Sequence, residues 1–443
     1  MNPIRNKLLP IIVTLVLSSA GITQAQPVQL SLKDALNYAV KNNINTKKAR
    51  LAAERGRYKT QEVRAQALPQ INGTGNLSYS PIVGQLVVDT LVFQMGRPWN
   101  SSIAVQLQQQ LFNQQVFTGL KAAEASEAYY NLNVDLTEEQ VIEQVSGLYY
   151  QILVNREALS VIDTNIKNTT RIEQIISDQY KNGLARKIDL DRVRVSLTNY
   201  RSSYEQMSNS INLQENQLKY YMGMPVRNQL AIPNVEIANL KATAAVSDSV
   251  NYNTRLEYLL VRKQGDLLRL QEKAYKSEYY PTLAMFTEYS YTGMSDKFDL
   301  YKSGGDAFWY EAASIGLTLR IPIFNGFATR SRLRQARVDI LENKENERDI
   351  IQSLNLANEN AKTQIKNSLS TINRQRENVS LAQDVYNSTQ NNYRNGLAPL
   401  TDLLDAENSL TDAKNSYNQA LLNYKIAEIQ LLKSNGNIKS LLN

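Results

Sequence analysis

The sequence predicts a mostly α-helical chain with a transmembrane β part: long antiparallel helical hairpins joined to four strands that cannot close a barrel alone. Three observations carry this. Counting forward 213 positions from Tyr180, Asn182, Gly183, Leu184, Ala185, Asp189 and Leu190 reaches Tyr393, Asn395, Gly396, Leu397, Ala398, Asp402 and Leu403, the same residue each time. Two stretches, 114–179 and 328–392, contain no Pro and place apolar or small residues at the three-four spacing of a helical seam. Two pairs of shorter segments alternate apolar with polar residues. The period far exceeds the roughly 20 to 50 residues of solenoid repeats, so a whole multi-element unit is used twice.

Taken in order, the chain opens with Arg5 and Lys7, an apolar run over 8–17 and the small-residue site Thr23-Gln24-Ala25. This reads as a secretory signal over 1–25, the mature chain starting at Gln26. The apolar run is too short to span a bilayer, which takes about 20 residues. Repeat 1 (26–224) begins with a helix over 31–68, capped by Ser31 and ending before Pro69. The period then changes. Ile71, Gly73, Gly75, Leu77 and Tyr79 alternate with Asn72, Thr74, Asn76, Ser78 and Ser80, and Ile103, Val105 and Leu107 form a second strand after Trp99.

The long helix over 114–179 follows, with Val141, Val145, Leu148, Ile152, Leu159, Ile162 and Ile166 as its seam. At 1.5 Å per residue it is a rod of roughly 100 Å. Gly183, with Leu184 after it, suits the left-handed residue that ends a helix, and a return helix runs to Gly223. Residues 225–255, with Pro225 and Pro233 and no strong period, read as a connector. Repeat 2 (256–443) replays the order. Leu283, Met285, Tyr289 and Tyr291 mark one strand, and Ile315, Leu317, Leu319, Ile321 and Ile323 the other, with Glu288 and Arg320 on the opposite face. Its long helix has a weaker seam (Ala361, Ile365, Ile372, Val379, Ala382, Tyr386), and Gly396-Leu397 and Pro399 mark the turn into the last helix.

Alternating strands are either half-buried in a soluble sheet or lipid-facing in a barrel, and periodicity alone does not separate these. The secretory signal and the aromatics near strand ends (Tyr79, Trp99, Tyr289, Tyr291, Trp309, Tyr310) favour the membrane. A membrane sheet must close, so several protomers have to share one barrel. A secreted coiled-coil structural or adhesive protein is the alternative, but it leaves the strand pairs without a purpose.

Composition narrows function further. The chain has no Cys and no His, which removes disulfides, thiol chemistry, the usual zinc sites and the commonest general base. No phosphate-cradling loop or nucleophile elbow occurs, so neither an enzyme nor a cofactor is expected. The formal charge of +7 is spread without a Lys/Arg block, which argues against nucleic acid.

The run Ile321-Pro322-Ile323-Phe324-Asn325-Gly326, the two Asn-Gly-Leu turns and the stretch Asp402-Leu403-Leu404-Asp405-Ala406 resemble the TolC-like outer membrane efflux protein family. The resemblance covers essentially the whole mature chain. It implies a homotrimer with twelve strands in outer membrane lipid, an α-helical barrel reaching into the periplasm, and a belt that includes 225–255. The expected function is a passive duct for drugs and other toxic small molecules, coupled by a periplasmic adaptor to an inner-membrane pump of RND or ABC type. A type I protein secretion duct uses a similar tube and stays open as an alternative. The family also implies roles at the tip. Asp402 and Asp405 match an aperture ring, although helix N-terminal Asp residues also suit the helix dipole. Asp189 and Tyr393 match a gate latch whose expected Arg is here Ala398, with Arg186 or Lys187 as substitutes. Gly183, Leu184, Gly396 and Leu397 match the adaptor contact, though a plain helix cap would also explain them.

Overall fold

The computed structural model describes residues 28–233, 251–302 and 305–442; the signal read at 1–25 and the middle of the connector lie outside the described residues. In chain order the first half contains β1 (Val28–Gln29), α1 (Leu32–Asn42), α2 (Ile44–Ala65), β2 (Gln70–Tyr79), β3 (Gln85–Val88), β4 (Leu91–Gln94), β5 (Trp99–Phe112), α3 (Gln114–Lys181) and α4 (Lys187–Met222). The second contains β6 (Leu230–Ala231), α5 (Leu256–Ser277), β7 (Thr282–Ser295), β8 (Phe308–Arg320), α6 (Ala328–Arg394), α7 (Leu400–Ser434) and a final 3-10 turn at Ile438–Leu442. The rods α3 and α6 hold 68 and 67 residues, which makes each about 100 Å long.

The four long strands form one antiparallel sheet in the order β2-β5-β7-β8. Its register delivers the two faces read from the alternation. Asn72, Gln106, Glu288 and Ser314 line up across all four strands, and Gln106 Nε2 donates to Glu288 Oε2 at 2.9 Å. The neighbouring row is Ile71, Leu107, Thr287 and Ile315. Among the described residues this second face is largely bare, with Ile315 76% and Leu317 64% exposed. Among the described residues nothing pairs with the outer edges of β2 and β8. Strands of 10 to 14 residues suffice to cross the hydrocarbon layer when tilted. Among the described residues no helix is long and apolar enough to cross a membrane.

Three expectations are corrected. The first helix does not run unbroken from 31 to 68. Ser31 caps α1 as read, its Oγ accepting from the Asp34 N–H at 3.2 Å, but the chain leaves the helix at Asn43 (φ −54, ψ 137). Asn43 Oδ1 caps α2 through the Asn45 and Thr46 N–H groups at 2.7 and 3.2 Å, and its Nδ2 donates to the Tyr221 carbonyl at 2.5 Å. Gly223 (φ 70) ends α4 here, so near that a Cβ would stand 2.3 Å from the Asn42 carbonyl oxygen. The break thus seats the end of α4. Second, β8 stops at Arg320 instead of continuing to Ile323, because Pro322 has no N–H for a ladder. Third, the strands number more than four. An apolar hairpin β3–β4 rises from the β2–β5 connection, and β1 pairs in parallel with β6, tying the N-terminal segment to the start of the connector.

Tertiary packing follows the seams. Val141, Val145, Ile152 and Ile162 on α3 are buried, while Leu148, Leu159 and Ile166 are half-buried. Val141, Val145 and Ile152, with Leu148 and Leu159 against them, join Leu36, Leu218, Met222, Ile365, Leu422, Leu431 and Ile438 in one core that draws on α1, α3, α4, α6, α7 and the C-terminal turn. Each fully buried Leu or Ile contributes about 1.5 to 3 kcal/mol. The first and second halves therefore share one hydrophobic interior.

Candidate functional site at the helical tips

Both long helices end in the same cap. The Gly183 N–H bonds to the Tyr180 carbonyl at 3.0 Å and the Leu184 N–H to the Gln179 carbonyl at 2.8 Å; Gly396 and Leu397 repeat this on Tyr393 and Asn392 at the same distances. This is a Schellman closure, with Gly183 at φ 74 and Gly396 at φ 73. Such a cap normally folds the following apolar side chain back on the helix. Here Leu184 and Leu397 are instead 79% and 77% exposed, so the cap does not use them.

Behind the turns the two hairpins abut. Ile176 on α3, Leu190 and Val193 on α4, and Leu400 and Leu404 on α7 form a small core, with Ile172, Ala185 and Tyr393 against it. Beside it lies a cavity of about 270 Å³ lined by Arg186, Asp189, Tyr393, Ala398 and Pro399 among others. The structure therefore brings the latch candidates Asp189, Tyr393 and Arg186 to one place. Arg186 holds Asp189 in a two-pronged ion pair, Nε to Oδ2 at 2.9 Å and Nη2 to Oδ1 at 3.0 Å. Lys187 makes no ion pair among the described residues. Tyr393 is half-buried, and burial, then the Asp189 charge, raises its phenol above the usual range. No hydrogen bond joins Tyr393 to Asp189, whose oxygens Arg186 occupies.

Asp402 and Asp405 lie one turn apart on α7, and both are exposed. Leu403, Leu404 and Ala406 on the opposite side are buried against the other helices. The carboxylates consequently face away from the chain's own packing. Neither forms an ion pair among the described residues; Asp402 accepts only a 3.4 Å hydrogen bond from Thr401.

Some features of this region carry no signal in the sequence. Asn165 on α3 donates to Thr411 on α7 at 2.7 Å, and Tyr200 on α4 donates to Asn408 on α7 at 2.8 Å. These bonds join the hairpins just behind the tips. The three-four spacing flags apolar seam positions, and polar residues that cross a seam follow no period.

Comparison with known proteins agrees with this architecture. The family model "Outer membrane efflux protein" matches residues 35–224 and 262–437. The outer membrane protein TolC of Salmonella enteritidis is 23% identical over 440 residues, covering 96% of this chain and 85% of TolC. The alkaline protease secretion protein AprF of Pseudomonas aeruginosa is 22% identical, covering 91% of this chain and 83% of AprF. The fold is similar to that of the Campylobacter jejuni outer membrane channel CmeC, with a TM-score of 0.77 at 14% identity, covering 98% and 94% of the two chains. Because the family model takes in both helical hairpins and both strand pairs, this chain belongs to the outer membrane efflux protein family and resides in the outer membrane, extending into the periplasm.

Proposed function

We propose that three copies close one twelve-stranded barrel and that their helical hairpins continue it as a water-filled tube, a passive duct for export. The observation that carries this reading is the sheet itself. Among the described residues both of its edges are unpaired and its apolar face is bare, a state that costs several kcal/mol per unpaired backbone group in hydrocarbon. Edge strands β2 and β8 run in opposite directions, so β2 of one copy suits β8 of the next and the contact closes as a ring. Two copies would give eight strands, an interior that side chains fill; twelve leave a lumen. The row Asn72, Gln106, Glu288 and Ser314 would line it.

At the periplasmic end, three copies of Asp402 and Asp405 would ring the entrance and favour cations. Arg186 with Asp189, beside Tyr393, would serve as the latch that keeps the tips together, with Arg186 and not Lys187 in place of the missing Arg. The exposed Leu184 and Leu397, unused by their caps, would meet the hairpin of a periplasmic adaptor linked to an inner-membrane pump of RND or ABC type. The cargo we favour is small toxic molecules, in keeping with the efflux family. The likeness to AprF supports a second reading, secretion of a protein through the same tube.

Fractionation tests the duct. The protein is expected in the outer membrane as a heat-modifiable trimer, and a monomer in the soluble fraction would overturn the proposal. Deleting the gene should sensitise cells to small toxic compounds if the cargo is drug-like. It should instead strand one exported protein inside the cell if the AprF-like reading holds.

A further inference from the structure

Glu407 stands on α7, between the exposed carboxylates of the tip and the main core. It is 2% exposed, and one oxygen, Oε1, is buried without a hydrogen-bond partner. The other accepts a long 3.4 Å bond from Thr169 Oγ1 on α3. Every helix packed around it presents a neutral group. From α3 come Thr169 and Asn165, the latter bonded to Thr411. From α4 comes the Tyr200 phenol, and from α6 the buried Tyr386, whose hydroxyl accepts from Gln390 at 3.1 Å. The charged groups nearby act on those phenols: Asp412 on Tyr200 and Arg394 on Tyr386. Among the described residues no cation compensates Glu407. Burial pushes its carboxyl up to about 7, the Thr169 bond opposing this only in part. A carboxylate in such a place has to be neutral to stay comfortably buried.

We propose that Glu407 is a proton-operated clasp between the two helical hairpins. Neutral, its O–H can donate to a neighbouring oxygen and α7 stays seated on α3 behind the tip. Ionised, it leaves a buried charge without a partner, and the α3–α7 seam loosens toward solvent. The seam crosses from one hairpin to the other just behind the latch, so loosening it favours splayed tips. The inference rests on the gated-duct reading for its consequence, though the clasp itself is a property of one chain. An entrance of this kind would open more readily at neutral pH than in a mildly acidic periplasm.

The chain lacks Cys, so two nitroxide labels can be placed cleanly on the full-length trimer, at K167C on α3 and D412C on α7, both exposed positions. Pulsed EPR distances are read from about pH 5.5 to about 8.5. The label separation should lengthen and broaden with a midpoint near 7. E407Q should hold the short distance throughout, and T169V, which removes the one bond to the ionised form, should move the midpoint upward. D402N/D405N should leave the response intact. A distance independent of pH, or the same response in E407Q as in the parent, overturns the clasp. Single-channel conductance on the same proteins separates the two readings. If the distances respond and conductance does not, the clasp stands and the gate reading fails.

Discussion

Adjacent residues in the middle of β8 offer the sharpest test of the sheet's two faces. Ile315 lies on the apolar row and Ser314 on the polar row opposite Glu288. Both stand near the centre of a strand that runs from Phe308 to Arg320, hence near the bilayer midplane if the sheet spans it. Arg on the lipid face at that depth costs about 2 to 4 kcal/mol. This corresponds to a roughly 30- to 700-fold loss in the folded-to-unfolded ratio. Arg on the lumen face meets water and the Glu288 carboxylate, so its cost stays within about 0.5 kcal/mol. I315R should therefore lower the urea midpoint for unfolding from lipid vesicles and weaken the heat-resistant trimer band, while S314R leaves both near the parent and alters conductance. Equal costs for the two variants, or the larger cost at Ser314, would refute the assignment of faces and with it the membrane sheet.

Other expectations follow from single contacts. Gly223→Ala places a Cβ against the Asn42 carbonyl at a left-handed φ and should cost more than the roughly 1 to 2 kcal/mol of backbone strain; Gly183→Ala, with open space around it, should cost only that strain, and equal melting temperatures would contradict the packing described. Neutralising the tip with D402N/D405N should reduce cation selectivity, read as a smaller reversal potential across a salt gradient. Arg186→Ala or Asp189→Asn should raise the leak through the channel and Lys187→Ala should not; unchanged conductance in the first two removes the latch. Stability should fall as pH rises from about 4.5 to about 7, because within that window native Glu407 keeps a proton that the unfolded chain has released. In E407Q this slope should shrink in a thermal-denaturation series, what remains coming from Glu139, whose carboxyl burial also raises.

Periodic features were legible in the sequence, and single polar contacts were not. The seam Val141, Val145, Ile152 and Ile162, the caps at Gly183 and Gly396, and the two-faced alternation of the four long strands all follow from spacing and backbone preference. The break at Asn43 escaped because its cause lies far away in the chain, at Tyr221 and Gly223. The β3–β4 hairpin escaped for a different reason: Leu86, Val87, Val88, Leu91, Val92 and Phe93 form continuous apolar runs, and alternation is the signal that marks a half-buried strand. The site shows the same division. Asp402, Asp405, Asp189 and Tyr393 could be singled out from the motif, whereas the pairing of Asp189 with Arg186 and not with Lys187 needed coordinates. Nothing in the sequence around Glu407 marks it as buried; its 2% exposure comes from the packing of α7 against the other helices.

The tip carries both a paired and an unpaired carboxylate. Asp189 and Asp402 stand 213 residues apart in the chain, each in the first turn of its helix, α4 and α7. Three residues before Asp189 stands Arg186, which satisfies both of its oxygens. Three residues before Asp402 stands Pro399, which fixes the start of α7 and has nothing to donate. Asp405 adds a second charge one turn on, where the first repeat has Arg192. Asp189 thus has a cation at hand, whereas Asp402 and Asp405 form no ion pair among the described residues. In the proposed trimer a neutralised hairpin would stand beside a charged one at every step, so holding the entrance together and setting its charge would fall to different halves of the chain. Two identical repeats could not divide these tasks, since pairing every carboxylate would remove the ring and pairing none would leave three chains of like charge with nothing to hold them closed.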